Sequence, residues 1–216
     1  MYRSCAAGWN GGVRWGCQQA ETRSTEVSAT MEVTGPLLVF GGPYSNLEAT
    51  KAILQEVDRR NIPPGNIVCT GDLAAYCADP QAVIDLLRYA GIWIVMGNCE
   101  ESLAAEAAES GCGFAEDSAC AALSGQWYSY ANRNNIDTES RFWMGSLPKR
   151  LDLKINGCLL IVVHGGVTSI NRFIFATSDA VIEEELNASG CDGVIAGLAV
   201  SPSPVRVAPD CGTTPA

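Results

Sequence analysis

Short apolar runs and amphipathic segments alternate along the first half of the chain. Three apolar runs, each bounded by turn residues, predict buried strands at 37–40, 67–69 and 92–96. The segments between them carry apolar residues at helical spacing, and Asn46 and the pair Asp79-Pro80 mark the two helix starts. Strands and helices that alternate with short connections are typical of a parallel α/β layer.

The second half of the chain changes its pattern. Residues 101–150 are predicted to be mostly helical, with a Gly-Cys-Gly break at 111–113. The later elements are expected in this order: a strand at 151–155, a hairpin turn at Asn156-Gly157, an apolar strand at 158–163, a helix at about 180–187 and a short strand within 192–197.

The two ends lack this patterning. Residues 1–30 are rich in Gly, Arg, Ser and Cys without a sustained period, so we expect a disordered leader or a misassigned start, with Met31 as the alternative start. Residues 198–216 are rich in Ser, Pro and Val, and we expect a non-native or disordered tail. One domain is therefore predicted over residues 31–197.

Charge and hydrophobicity limit the partners of this domain. The 24 acidic and 14 basic residues give a formal net charge of −10, which offers no general attraction to nucleic acid polymers or anionic membranes. No apolar run approaches the roughly 20 residues of a membrane helix. No compact apolar stretch follows Arg3 and Arg14, so we do not expect a signal peptide. We expect a cytoplasmic location. The oligomeric state is left open.

The ten cysteines allow more than one interpretation. Three lie in or beside apolar strand-like runs: Cys69, Cys158 and Cys191. Free buried thiols are the favoured interpretation, because the chain is long enough for a core and carries no secretion signal. The alternative interpretation is that Cys112 and Cys120, together with the nearby Cys99, form a second metal site. Their spacing matches no paired zinc pattern.

Polar residues follow three of the predicted strands. Asp72, Asn98 and His164 each stand just past the carboxyl end of an apolar run. Open α/β sheets place their sites at these ends, and a carboxylate, an amide oxygen and an imidazole together suit a divalent transition metal. Each residue alone would be read as a turn, a cap or an ordinary hydrogen-bonded side chain. Their coincidence at three strand ends predicts a metal site.

Five short blocks in the chain resemble those of the calcineurin-like metallophosphoesterases. That family carries Asp-x-His-Gly-Asn, Gly-Asp, Gly-Asn-His/Cys-Asp/Glu, His-Gly and Gly-His-x-His in this order. The corresponding blocks here are Gly42-Pro43-Tyr44-Ser45-Asn46, Gly71-Asp72, Gly97-Asn98-Cys99-Glu100, His164-Gly165 and Gly197-Leu198-Ala199-Val200. The resemblance covers residues 36–197 and is closest to the small bacterial phosphodiesterase and diadenosine-tetraphosphatase-like branch. It implies a four-layer αββα sandwich, here without its last strands and with an open sheet edge.

Members of this family bind two metals, and most departures from the family blocks lie at the ligand positions of one of them. The positions of the first metal's own ligands hold Gly42, Tyr44 and Val200. The resemblance assigns the second metal to Asp72, Asn98, His164 and a fourth position that is Leu198 here. A reduced, single-metal site is therefore implied, with manganese as the first choice and iron or zinc as alternatives.

The same resemblance suggests roles for residues around this site. Cys99 holds the position that the family uses for phosphate contact or proton donation, and the Tyr44 hydroxyl could position a phosphate oxygen. Asn46, Gly165 and Arg172 are weaker candidates for substrate contact, since Asn46 equally suits a helix cap and Arg172 a solvated surface.

Two hypotheses about the function follow. One is a metal-dependent phosphoesterase for small phosphodiesters or phosphomonoesters, and the other is a non-catalytic relative that binds a phosphate ligand or a protein partner.

Overall fold

Two β-sheets and their flanking helices make up residues 28–132 and 135–198, which are the residues that the computed structural model describes. The strands are β1 (Ser28–Val33), β2 (Leu38–Phe40), β3 (Ile67–Cys69), β4 (Trp93–Ile94), β5 (Arg150–Ile155), β6 (Cys158–Val163) and β7 (Gly193–Ala196). The helices are α1 (Leu47–Arg59), α2 (Pro80–Ala90), α3 (Asn98–Ala104), α4 (Ala119–Asn132), α5 (Thr138–Gly145) and α6 (Asp179–Ser189), and a 3₁₀ turn spans Pro64–Asn66.

The three-stranded sheet has the order β2-β3-β4, and its strands are parallel. Helices α1 and α2 connect them, as the alternating pattern predicts. Asn46 caps α1 by accepting a 3.0 Å hydrogen bond from the backbone N–H of Ala49, and Pro80 opens α2. Strand β4 is shorter than expected, because the backbone N–H of Met96 turns away from the ladder to Pro148.

The four-stranded sheet has the order β1-β5-β6-β7. Strands β5 and β6 form an antiparallel hairpin that turns at Asn156 and Gly157, with φ values of 51° and 85°. Two successive positive φ values are the geometry for which an Asn-Gly pair is favoured. Helix α6 then leads to β7, which runs parallel to β6, as expected for a crossover connection.

Strand β1 lies partly within the segment that was expected to be a leader. It begins at Ser28, three residues inside the segment assigned to a leader, and it pairs in parallel with β5. Met31 and Val33 are buried, so the alternation of apolar and polar residues in this short run was a signal that could have identified the strand. The other residues of the expected leader, and the expected tail beyond Leu198, lie outside the described residues.

The two sheets face each other across an apolar core. Val68 and Val95 from one sheet pack against Leu153 and Val162 from the other, and all four are fully buried. A second core forms where the helices cover the three-stranded sheet, and α6 packs beside β7. The α/β class with sheets at the centre and helices outside is therefore confirmed. None of the described helices combines the length and apolar character needed to cross a membrane.

The cysteines only partly follow the expectation of free thiols. Cys69 is free and buried, and Cys191 is free and half-buried. Cys158 is disulfide-bonded, so the expectation of a free thiol is wrong at this position. The described ranges contain no group of three or more His, Cys, Asp or Glu side chains that could hold a metal. Cys120 is exposed. The alternative of a cysteine-based second metal site therefore has no support there.

Candidate metal-binding site

The ends of three strands bring the predicted metal ligands together. Asp72 follows β3, Asn98 follows β4 and His164 follows β6, and each residue is less than 5% exposed. The Nε2 atom of His164 lies 3.1 Å from Asn98 Oδ1 and 3.4 Å from Asp72 Oδ1. Two of the predicted ligands thus follow strands of the three-stranded sheet, and one follows a strand of the four-stranded sheet.

Backbone contacts orient the imidazole and the amide. His164 Nδ1 lies 2.6 Å from the carbonyl oxygen of Thr70, so its N–H donates there and Nε2 faces the site. Asn98 Nδ2 donates to the carbonyl oxygen of Ser110 at 3.1 Å, which turns Oδ1 towards His164. The lone pair of a neutral imidazole would then face two oxygen atoms, an arrangement that a cation at Nε2 stabilises.

The Asp72 carboxylate supplies the observation that best tests the fit of a metal. Its Oδ1 atom is buried and accepts no hydrogen bond from any described residue. A buried carboxylate is normally paired or bound to a metal, and the nearest charged partner of this oxygen is His164 Nε2 at 3.4 Å. Two ligands that are each about 2.1 Å from a metal lie roughly 3.0–3.4 Å apart. The distances around His164 Nε2 match this separation, so the three residues fit one divalent ion.

The pKa of His164 depends on the groups that face its two ring nitrogens. Burial lowers the pKa of the imidazole, but the Asp72 carboxylate and the Thr70 carbonyl outweigh burial and raise it to about 8. In the metal-free chain a proton therefore occupies Nε2 at neutral pH, and a metal would have to displace it.

Glu100 holds the loops that carry two of the candidate ligands, Asp72 and Asn98. Its fully buried carboxylate accepts hydrogen bonds from three backbone N–H groups: Asp72 at 2.8 Å, Leu73 at 2.8 Å and Gly97 at 2.9 Å. Burial and the neighbouring Asp72 raise the pKa of Glu100, and the N–H groups oppose this shift. Sequence reasoning gave Glu100 no role, although its place in the Gly-Asn-Cys-Glu block was a signal.

Tyr44 fills the space beside Gly42, which is one of the positions where the resemblance places a ligand of the first metal. Gly42 has a φ of 53°, and a Cβ atom there would lie only 2.2 Å from the Tyr44 ring and 2.7 Å from its hydroxyl oxygen. Leu198 approaches through its backbone, whose N–H donates to the carbonyl oxygen of His164 at 2.8 Å. Val200 lies outside the described residues. Neither Gly42 nor Leu198 supplies a ligand side chain, and the Tyr44 ring occupies the space beside Gly42.

Cys99 lies beside the side-chain amide of Asn98. Its side chain is fully buried, and its Sγ atom is 3.6 Å from Asn98 Nδ2, which also lies 3.4 Å from Cys112 Sγ. Burial raises the pKa of the Cys99 thiol well above its ordinary value, and the hydrogen bond with Cys112 acts in the same direction. This position gives no support to the phosphate-contact or proton-donor role expected of Cys99.

Two of the expected substrate contacts are engaged within the protein. Asn46 is exposed, but its side-chain oxygen is used as the cap of α1. At Gly165, a Cβ atom would lie 2.3 Å from the carbonyl oxygen of Ile170. This glycine therefore lets the loop after β6 fold back on itself, which differs from the expected approach to a phosphate.

Arg172 is held by acidic residues of α6. Its guanidinium donates to Glu184 at 2.7 Å and to Glu185 at 2.8 Å, and its side chain is 25% exposed. The buried Glu185 carboxylate also accepts from the backbone N–H groups of Val167 and Thr168. These ion pairs fix the loop after β6, so the placement gives Arg172 a structural role and no support for substrate contact.

Comparisons with known proteins agree with this fold. An uncharacterized protein of Methanocaldococcus jannaschii is 30% identical over 132 residues, which are 61% of this chain and 50% of the relative. The chain thus spans half the length of that curated relative. A metallophosphoesterase from Sphaerobacter thermophilus has a similar structure, with a TM-score of 0.51 and 22% identity over 74% of this chain and 58% of that one.

A second solved structure and a family model extend these comparisons. A hypothetical protein from Pyrococcus horikoshii has a TM-score of 0.55 and 15% identity over 75% of this chain and 69% of that one. At these identities, the structural matches show the fold alone. The family model of the calcineurin-like phosphoesterases matches residues 35–204, which include all three ligand positions. The chain therefore belongs to the calcineurin-like phosphoesterase family.

Proposed function

We propose that this chain is a metal-dependent phosphoesterase that hydrolyses small phosphodiesters or phosphomonoesters with a single divalent metal. Asp72, Asn98 and His164 would hold the ion. The observation that carries the proposal is the buried Asp72 Oδ1, which lacks a hydrogen-bond partner among the described residues and faces His164 Nε2. Calcineurin-like phosphoesterases use divalent metals and act on phosphate esters, which supports this assignment.

The nature of the ligands favours particular metals. One carboxylate oxygen, one amide oxygen and one imidazole nitrogen suit manganese first, with iron and zinc as alternatives. When bound, such an ion polarises a phosphoryl oxygen and lowers the pKa of a water molecule. The protein's part is to present the three ligands from two sheets and to hold the imidazole through Thr70.

Tyr44 is the residue that we place in contact with substrate. Burial and the nearby Asp72 carboxylate raise the pKa of Tyr44 to about 12, so its hydroxyl stays protonated at neutral pH. A protonated hydroxyl donates a hydrogen bond and can position a phosphoryl oxygen. We propose this role for Tyr44 and assign none to Cys99, which is fully buried.

The charge of the chain restricts the substrate class. A net charge of −10 repels polyanions, so we propose a small phosphate ester as substrate and no nucleic acid polymer or membrane as partner. The proposed location remains the cytoplasm.

The second candidate function is a non-catalytic relative that binds a phosphate ligand or a protein partner. It is favoured by Tyr44, whose ring fills the space next to Gly42 where the family resemblance would place the first metal. A protein that lacks this metal could retain phosphate binding and lose hydrolysis.

Hydrolysis of two generic substrates separates these functions. We expect manganese-dependent hydrolysis of bis(4-nitrophenyl) phosphate or 4-nitrophenyl phosphate by the unchanged chain, and a fall to background in Asp72→Ala and His164→Ala. Asp58→Ala, at an exposed position on α1, is the matched control and should retain the activity. Hydrolysis that stays at background in the unchanged chain, with manganese bound, would instead support the non-catalytic relative.

A further inference from the structure

Tyr76 lies in the same loop as Asp72 and is part of an aromatic cluster. Its ring centroid is 5.2 Å from that of Tyr44 and 5.6 Å from that of Trp127. Trp127 is buried, whereas Tyr76 is 47% exposed. The cluster thus supports the Tyr76 ring from within the protein and leaves part of the residue open to solvent.

The backbone of the two neighbouring loops is held in an uncommon conformation. Seven non-glycine residues in the described ranges have a positive φ, and four of them are Tyr44, Ser45, Asp72 and Tyr76, with values between 51° and 56°. Bulky residues rarely adopt this conformation, and it tends to cluster at functional sites. Hydrogen bonds fix the loops to each other, including Tyr44 N–H to the Asp72 carbonyl at 3.0 Å.

The Tyr76 ring is joined to the candidate site through Tyr44, whose hydroxyl oxygen would lie 2.7 Å from a Cβ atom at Gly42 and whose backbone N–H donates to the Asp72 carbonyl oxygen. Burial, the nearby thiols of Cys112 and Cys99 and the Asp72 carboxylate all raise the pKa of Tyr76 above its ordinary value. The phenol therefore stays protonated at neutral pH and can donate a hydrogen bond. Neither Tyr76 nor Tyr44 donates its hydroxyl hydrogen to any described residue. The rings contact each other, and the two hydroxyls are the groups left available.

We propose that the hydroxyls of Tyr76 and Tyr44 together form a phenol clamp that binds the phosphoryl oxygens of the substrate beside Asp72. This inference rests on the proposed function, because a phosphate group can approach Asp72 and Glu100 only when a cation offsets their negative charge. Two neutral donors would then provide the contacts that a first metal provides in the family. Tyr76 becomes a substrate-binding residue that sequence reasoning did not identify.

Phosphate binding to the manganese-loaded chain tests the clamp. Inorganic phosphate is titrated calorimetrically into the unchanged chain, Tyr76→Phe and Tyr44→Phe, after the manganese content and melting temperature of each have been measured. We expect each variant to keep its manganese and its ring packing but to bind phosphate about 10-fold more weakly, because a hydrogen bond to a charged acceptor is lost. Tyr89→Phe on α2, with Tyr89 80% exposed, is the matched control and should bind like the unchanged chain.

The outcomes distinguish the clamp from the proposed function. Manganese bound with unchanged phosphate affinity in Tyr76→Phe would overturn the clamp and leave the metal site intact. Loss of affinity in Tyr76→Ala alone, with Tyr76→Phe unaffected, would assign binding to the ring and would also overturn it. A lack of bound manganese in the unchanged chain would remove the proposed function and the clamp with it.

Discussion

Gly42 and Tyr44 show how two residues determine the space available beside the metal site. The residue at position 42 has a φ of 53°, and its missing side chain leaves room for the Tyr44 ring, whose nearest atom would be 2.2 Å from a Cβ atom. The two positions are therefore coupled: a side chain at position 42 is incompatible with the present position of the ring. Replacement of one residue alone should not restore a ligand there.

A double-mutant cycle measures this coupling. Gly42→Ala in the unchanged chain should lower the free energy of unfolding by about 2–4 kcal/mol, from the positive φ and the contact with the ring. In a Tyr44→Ala background the same change should cost only about 1–2 kcal/mol, because only the backbone conformation remains unfavourable. Urea unfolding of the four proteins gives both values.

The control for this cycle is Gly125→Ala in α4. A Cβ atom at Gly125 meets nothing within 4 Å, and alanine favours a helix, so this change should be neutral or stabilising. Equal losses from Gly42→Ala in the two backgrounds would show that the Tyr44 ring does not occupy this space.

At the scale of elements, Glu100 at the start of α3 joins the loops that follow β3 and β4. Its carboxylate binds backbone N–H groups of both loops, so the positions of Asp72 and Asn98 depend on it. The adjacent Gly97 is required by the same contact, since a Cβ atom there would lie 2.7 Å from Glu100 Oε2. The candidate ligands from the three-stranded sheet are thus fixed by a buried carboxylate that would not itself bind the metal.

Glu100→Gln should weaken this connection. A glutamine offers one acceptor oxygen where the carboxylate offers two, so backbone N–H groups lose their partners and the free energy of unfolding should fall by about 2–4 kcal/mol. Manganese affinity should fall as well. The neighbouring Glu101→Gln, which alters an exposed ion pair with Lys149, should change stability by less than about 1 kcal/mol. If Glu100→Gln were as stable as Glu101→Gln, the proposed role of Glu100 would be wrong.

Most elements near the site were predictable from local patterns. The apolar runs before Asp72 and His164 have the composition of buried strands, and the proline after Asp79 marks the start of α2. Strand β1 was missed because it is only six residues long and half of these residues are polar. Its stability also depends on pairing with β5, which is distant in the sequence.

The contacts of side chains in the loops were not predictable in the same way. Arg172 looked available for an anionic substrate, yet its partners Glu184 and Glu185 lie on α6, and only the folded loop brings them together. The same applies to the Tyr76 ring, whose contact with Trp127 joins a loop to α4. Residue types at strand ends indicate a site, but their partners depend on tertiary packing.

At the scale of the whole molecule, the candidate site lies where the two sheets meet. Asp72 and Asn98 belong to one sheet and His164 to the other, and His164 also contacts the Thr70 carbonyl across this boundary. A bound metal would therefore link the two halves of the sandwich. Both sheets must be correctly packed for Asp72 and Asn98 to come within 3.4 Å of His164 Nε2.

The metal content of the purified chain tests the central claim most directly. After manganese loading and removal of excess ion, we expect about one manganese per chain, because the donor set serves one ion and Tyr44 fills the neighbouring space. Asp72→Ala and His164→Ala should retain none, whereas Asp58→Ala should retain the full amount. No bound metal in the unchanged chain, two ions per chain, or one ion that persists in both ligand variants would contradict a single-metal site at Asp72, Asn98 and His164.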